Sequence, residues 1–226
     1  MPVYRIPEEH IFPDPELAEM GGLLGVGGDL STKRLMLAYS SGIFPWYSEG
    51  QPILWFSPDP RFVLHPRDLS ISRSLRKRIR RGDYRITMDQ DFDGVISHCQ
   101  SIARPEQAGT WITDEMRQAY RDLHREGHAH SVEAWLGDRL VGGLYGVALG
   151  SLYSGESMFA LEPDASKVAF VWLVKQLIEW KIELVDCQVF TRHLERFGAI
   201  EVPRSRYLAQ LSEMRNQPKL PPVWSF

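Results

Sequence analysis

Three polar side chains sit where a plain hydrophobic core would not place them: Glu156, Asp186 and Gln188. The stretch LVGGLYGVALGSLYSGESMF leads into a helix-like ASKVAFVWLVKQLIEW and then into IELVDCQVF. Two strands therefore end in polar groups that apolar neighbours would shield. Buried acids are costly unless they are paired, so such groups are expected to do work. Two carboxylates and an amide brought to one place can orient an amine and manage its proton. Asp186 and Gln188 lie two apart on a predicted strand, which puts their side chains on one face. An amide both donates and accepts but is not basic, so Gln188 suits positioning better than proton abstraction.

These groups must be carried by definable elements. A predicted hairpin of strands 129–136 and 139–148 turns at Gly137-Asp138, and a further strand spans 151–154 after Gly150. An amphipathic helix over 164–180 follows, then a near-continuous apolar strand over 183–189, a short helix 191–197 closed by Gly198, and a last helix from Pro203 to about Met214. Upstream, Asp29 or Ser31 caps a helix over 32–41, with Gly42 in the place of a left-handed cap. A basic helix over 70–80 ends at Gly82, a short strand spans 84–88, a helix spans 91–100, and Thr113 caps a helix over 114–126. Prolines 45, 52, 58, 60 and 66 make 43–66 read as loops and edge strands, because proline cannot donate to a ladder.

Composition narrows the class. The chain has 226 residues, 43% apolar and 24% charged, ordinary globular values. It has no apolar run long enough to span a membrane and no signal-peptide pattern at its start. Its two cysteines, Cys99 and Cys187, suggest a reducing cytoplasm rather than a disulfide scaffold. A net charge of −3 hides a local excess: nine Arg and Lys between Arg61 and Arg85 face only Asp68 and Asp83. A phosphate backbone would favour such a patch through counterion release. His128 and His130 lack a third ligand, GxGxxG is absent from the glycine-rich 21–28, and SGES does not form a hydrolase elbow.

The segments GGDL (27–30), GIFPW (42–46), LWFSPDPR (54–61), GTWIT (109–113), GHAHSVE (127–133), GESMF (155–159) and DCQ (186–188) follow one another as in bacterial leucyl/phenylalanyl-tRNA–protein transferases. The chain resembles that family from about Phe12 to about Arg215. The resemblance implies transfer of Leu, Phe and, less readily, Met from aminoacyl-tRNA to proteins with N-terminal Arg or Lys, which marks them for degradation. It implies no metal and no cofactor, because the ester is already activated. An α+β fold is expected: a small N-terminal α/β domain (1–66, with the division between 66 and 85) and a GNAT-like acyltransferase domain (67–226), its mixed sheet flanked by helices.

The family match also assigns roles. Asp186, Gln188 and Glu156 become the catalytic group, with the choice between base and orienting role left open. Trp46 and Trp111 are expected to stack the terminal adenine, with Ser57 supporting the same cleft. Leu144, Met158, Phe170, Leu173, Leu177 and Val185 are expected to receive the Leu or Phe side chain. Arg73, Arg76, Lys77, Arg78, Arg80 and Arg81 are expected to hold the tRNA acceptor arm. The rival readings are an acyl-CoA N-acetyltransferase and a non-catalytic RNA-binding protein. The first lacks the glycine loop that cradles pyrophosphate, since the junction reads MFALEPDASK.

Overall fold

Side-chain caps decide where the helices of the first half begin. In the computed structural model, which describes residues 3–102, 111–217 and 224, the Ser31 hydroxyl accepts from Arg34 N–H at the start of α1 (Thr32–Ser40). Ser72 does the same for α2 (Arg73–Arg81), Asp91 for α3 (Phe92–Ser101) and Thr113 for α4 (Asp114–Arg125). Gly82 closes α2 in the left-handed conformation. Gly42 follows α1 with φ near +74°, and a Cβ there would meet Leu208 at 2.5 Å. The basic helix expected from residue 70 thus starts at Arg73, behind its serine cap.

A small sheet has the order β1-β2-β4-β3, built from β1 (Tyr4–Ile6), β2 (Leu23–Gly27), β3 (Phe44–Pro45) and β4 (Leu54–Phe56). The GGDL turn beside it is anchored by Arg34, fully buried, which binds Asp29 and the carbonyls of Pro7, Glu8 and Glu9. The large sheet has seven strands in the order β11-β5-β10-β9-β8-β7-β6. They are β5 (Arg61–Leu64), β6 (Arg85–Met88), β7 (Ala129–Leu136), β8 (Arg139–Leu149), β9 (Leu152–Ala160), β10 (Leu184–Gln188) and β11 (Ile200–Val202). β9 and β10 pair in parallel through the crossover helix α5 (Ala165–Glu179); the other pairs are antiparallel. The short α6 (Arg192–Glu195) and α7 (Arg204–Met214) complete the described chain.

Three expectations need correcting. The segment 43–66 is not all loop and edge: β5 lies between β10 and β11, with all four residues buried, and its prolines flank it rather than interrupt it. The strand expected over 151–154 runs on to Ala160, so Glu156 lies within β9 and not after it. The helix expected over 191–197 is a single turn, and β11 is an additional strand that no sequence pattern announces. Sheet membership changes between Phe56 and Arg61.

Apolar residues on the two faces of the large sheet form separate cores. One joins α1, α3 and α4 to Tyr145, Val147 and Phe159. The other joins α5 to Val132, Leu144 and Val185. Each large aliphatic side chain buried in them contributes about 1.5–3 kcal/mol. No helix among the described residues is long and apolar enough to cross a membrane.

Candidate functional site

The end of β10 is bent by its own aspartate. The Gln188 N–H donates to Asp186 Oδ1 (2.9 Å), a bulge interrupts pairing with β5, and Gln188 takes φ near +63°. A non-glycine residue in that conformation costs about 1–3 kcal/mol, and it persists only where its surroundings impose it. The imposing group is a buried ion pair. Arg61 of β5 donates Nε to Asp186 Oδ1 (2.8 Å) and Nη2 to Oδ2 (2.6 Å), both residues being essentially without solvent contact. The Tyr207 hydroxyl of α7 donates to the same Oδ2 (2.8 Å), and Ser154 Oγ lies 3.5 Å away. Arg61 also donates to the Gly42 carbonyl and lies over the rings of Phe44 and Tyr207. The negative Asp186 raises the Arg61 pKa further, despite the opposing effect of burial. Burial, with the Asp186 charge beside it, keeps the Tyr207 hydroxyl protonated.

From this anchor a second chain of bonds runs outward. Gln188 Nε2 donates to Glu156 Oε1 (2.8 Å), and the Tyr120 hydroxyl of α4 donates to Oε2 (2.8 Å). Tyr120 in turn hydrogen-bonds the Tyr39 hydroxyl of α1. Because the Tyr120 proton is committed to Glu156, Tyr39 is the donor in that pair. Glu156 is only partly buried as a residue, yet loss of water around its carboxyl pushes it up to about 7, offset in part by the two tyrosines. Lys167 pairs with Asp164 rather than with Glu156.

A raised carboxyl pKa makes stability depend on pH in a definite direction. The unfolded chain loses this proton near 4.5, whereas the folded protein holds it to about 7. The stabilising contribution is present below pH 4.5 and is lost as pH rises to 7. Glu156→Gln is therefore expected to melt several degrees above the parent protein at pH 8, with the difference closing toward pH 4.5. Thermal unfolding followed by circular dichroism across that range would check it.

The expected apolar residues gather in one layer between α5 and the sheet. Phe170, Leu173, Leu177 and Val185 are almost fully buried, Leu144 pairs across from Met158, and Met158 alone of the six keeps partial exposure. Trp46 stands exposed at the end of β3, edge-on to Phe56 (5.6 Å). Trp111 is half-buried against the core of the α4 face, and the Gly109 and Thr110 of its motif lie outside the described residues. Ser57 is fully buried, with its Oγ unpartnered among the described residues and its carbonyl taken by Arg204. Arg73, Arg76, Lys77 and Arg80 line one concavity on α2. Arg78 turns away to Asp83 and Tyr84, and Arg81 reaches Asp83.

Arg61 requires a correction of another kind. It opens the basic run in the sequence, but it is a buried partner of Asp186 and adds nothing to a surface patch. Tyr39, Tyr120 and Tyr207 are site residues that the sequence does not reveal, because a tyrosine on a helix face reads as core. His130 binds Asp89 (2.7 Å), with His124 near the same carboxylate. Cys187 is buried, which raises its thiol pKa and keeps it protonated.

The arrangement can fix an amine beside a partly exposed carboxylate and an amide, on a backbone held by a buried ion pair. Known proteins of similar sequence identify the family. The family model described as "Leucyl/phenylalanyl-tRNA protein transferase" matches residues 63–212, and its N-terminal-domain counterpart matches 28–59. The chain is 58% identical over 224 residues to the leucyl/phenylalanyl-tRNA–protein transferase of Anaeromyxobacter sp. (strain Fw109-5), covering 99% of this chain and 95% of that one. It is 54% identical over 227 residues to that of Myxococcus xanthus (strain DK1622), covering 100% and 97%. Among solved structures, L-PGS from Bacillus licheniformis is 12% identical with a TM-score of 0.41, covering 89% of this chain and 65% of that one, too distant to carry an argument. By the two family models and the near-complete match to these relatives, the chain belongs to the leucyl/phenylalanyl-tRNA–protein transferase family.

Proposed function

We propose that Glu156 and Gln188 face the acceptor amine, while Asp186, with Arg61 and Tyr207, fixes the strand end that presents Gln188. The reaction is the transfer of Leu or Phe from aminoacyl-tRNA to the α-amino group of a protein with N-terminal Arg or Lys. An amine attacks the ester carbonyl and the ribose oxygen leaves, so the protein must align two substrates and provide for an oxyanion and a proton. The observation that carries this reading is the continuous chain Arg61–Asp186–Gln188–Glu156. Gln188 can turn its amide N–H to a developing oxyanion while its oxygen accepts from the amine.

The layer headed by Met158 is the proposed receptacle for the donor side chain, an unbranched thioether being able to fit both Leu and Phe. Trp46 and Trp111 are proposed to stack the terminal adenine, with Ser57 behind them. The antiparallel strands followed by the parallel β9-α5-β10 crossover support a GNAT-like core, with a first unit ending near Pro60 rather than at 66. An acyl-CoA reading is weaker, because Glu162 and Asp164 stand at the start of α5 where a pyrophosphate would need donors.

The test is a transfer assay with radiolabelled Leu-tRNA or Phe-tRNA and peptides that begin with Arg, Lys or Ala. Label on the Arg and Lys peptides alone is expected; acetylation from acetyl-CoA instead would overturn the reading. The exposed face of α2 is proposed to take the acceptor arm. Neutralising Arg73, Arg76, Lys77 and Arg80 together is expected to raise KM for charged tRNA about tenfold or more at physiological salt. The slope of log affinity against log salt should shrink by about one for each phosphate that is no longer neutralised.

A further inference from the structure

We propose that Glu156 is the group that takes the proton from the acceptor ammonium, and that the Tyr120–Tyr39 hydroxyl pair is the positioning device that holds its carboxylate for that task. This rests on the functional reading above and assigns the proton step within it.

Asp186 is the obvious candidate by residue type, and its surroundings disqualify it. Oδ1 already accepts from Arg61 Nε and the Gln188 N–H, and Oδ2 from Arg61 Nη2 and Tyr207, with Ser154 at the margin. No solvent reaches it. Protonating it would strand a buried guanidinium. Gln188 lies at the right place, but an amide is not a base. Glu156 differs on each count. Its Oε1 accepts from Gln188 alone, while Tyr120 donates to Oε2 and Tyr39 also favours the carboxylate, so Oε1 keeps acceptor capacity. It is partly exposed, whereas its tyrosine partners are fully buried. Its surroundings push its pKa up to about 7, where a base is most effective in neutral solution.

The groups facing it are Tyr39 on α1 and Tyr120 on α4, with Tyr145 of β8 edge-on to Tyr120. Asp186 and Arg61 act from across β10 and β5, one raising and one lowering the carboxyl pKa. Both tyrosine hydroxyls are held protonated by burial and by the Glu156 charge, so they remain donors throughout. They favour the charged carboxylate and keep its pKa from rising further.

The step balances without another reactant. The ammonium gives one proton to Glu156, and the freed lone pair forms the new C–N bond. The C–O bond to ribose breaks, and the ribose oxygen takes the second proton shed by the attacking nitrogen. The first proton then leaves Glu156 for solvent.

The test is the pH dependence of kcat/KM for transfer from Leu-tRNA to an Arg-peptide, with folding checked by thermal melts. The parent protein should show an acid limb near pH 7. Tyr120→Phe, which keeps the ring and removes the donor, should move that limb upward by about one unit. Tyr39→Phe should move it the same way by less, because the Tyr39 hydroxyl favours the carboxylate less strongly than that of Tyr120. Glu156→Gln should remove the limb and lower kcat about 100-fold or more. Transfer by Glu156→Gln within about threefold of the parent kcat would overturn the proposal. So would a Tyr120→Phe profile lowered equally at every pH, the mark of a merely structural tyrosine. A parent protein that makes no transfer at all would instead sink the reading on which this rests.

Discussion

Replacing Asp186 with alanine is expected to cost about 3–5 kcal/mol of stability and to abolish transfer. The substitution leaves Arg61 charged and buried without its counter-ion, which is the costly way to break an internal ion pair. It also frees the Gln188 N–H and removes the reason for the left-handed backbone there. The effect on transfer should outlast any repair of stability. Converting both members together, as Arg61→Met with Asp186→Leu, should recover much of the melting temperature, since apolar replacements of buried pairs are often neutral or better. It should recover no activity, because Gln188 would no longer be presented. Equilibrium unfolding in urea, alongside single-turnover transfer, separates the two consequences. Recovery of transfer in the double variant would show that the pair serves stability alone.

Leu173→Ala is expected to cost about 2–5 kcal/mol, the range for emptying a packed aliphatic site. Leu173 is fully buried on α5, among Phe170, Leu177 and Val185. Core and receptacle are distinguishable here by selectivity. If this layer receives the donor side chain, the vacated volume should favour Phe-tRNA over Leu-tRNA by about tenfold in kcat/KM. Met158→Ala should change the same ratio at a smaller stability cost, because Met158 is the half-exposed member. An unchanged Phe/Leu ratio in both variants would make the layer core and nothing more.

Much of the molecule is legible in its residues. Helix starts are readable at Ser31 and Thr113, because one side-chain oxygen satisfies an otherwise free N–H and leaves a local signature. Glu156, Asp186 and Gln188 stand out as polar types among apolar neighbours, and the structure links them in one chain of bonds. What is not legible is of one kind, the partner supplied from far along the chain. Arg61 looks like one more cation in a basic run, and only the pairing of β5 with β10 reveals its carboxylate. Tyr39, Tyr120 and Tyr207 carry hydroxyls that pattern reasoning treats as ring edges. β9 reads as ending at Ser154 because serine and glycine suggest a strand end, whereas β8 holds it in register to Ala160 and β10 pairs only with Leu152, Tyr153 and Ser154. β5 is obscured by prolines that border it.

The Asp186 anchor also has a consequence for biosynthesis. Its guanidinium comes from 125 residues upstream and its phenol from 21 residues downstream. A ribosome that has released β10 but not α7 therefore carries a site lacking Tyr207, the ring beneath Arg61 and the donor to Asp186. Until α7 emerges and docks, the aspartate is short of a donor and the strand end that presents Gln188 is not held. On the proposed role of this anchor, fragments ending before α7 are expected to be inert. An enzyme that condemns other proteins is thus expected to gain its competence only when its own last described helix has folded.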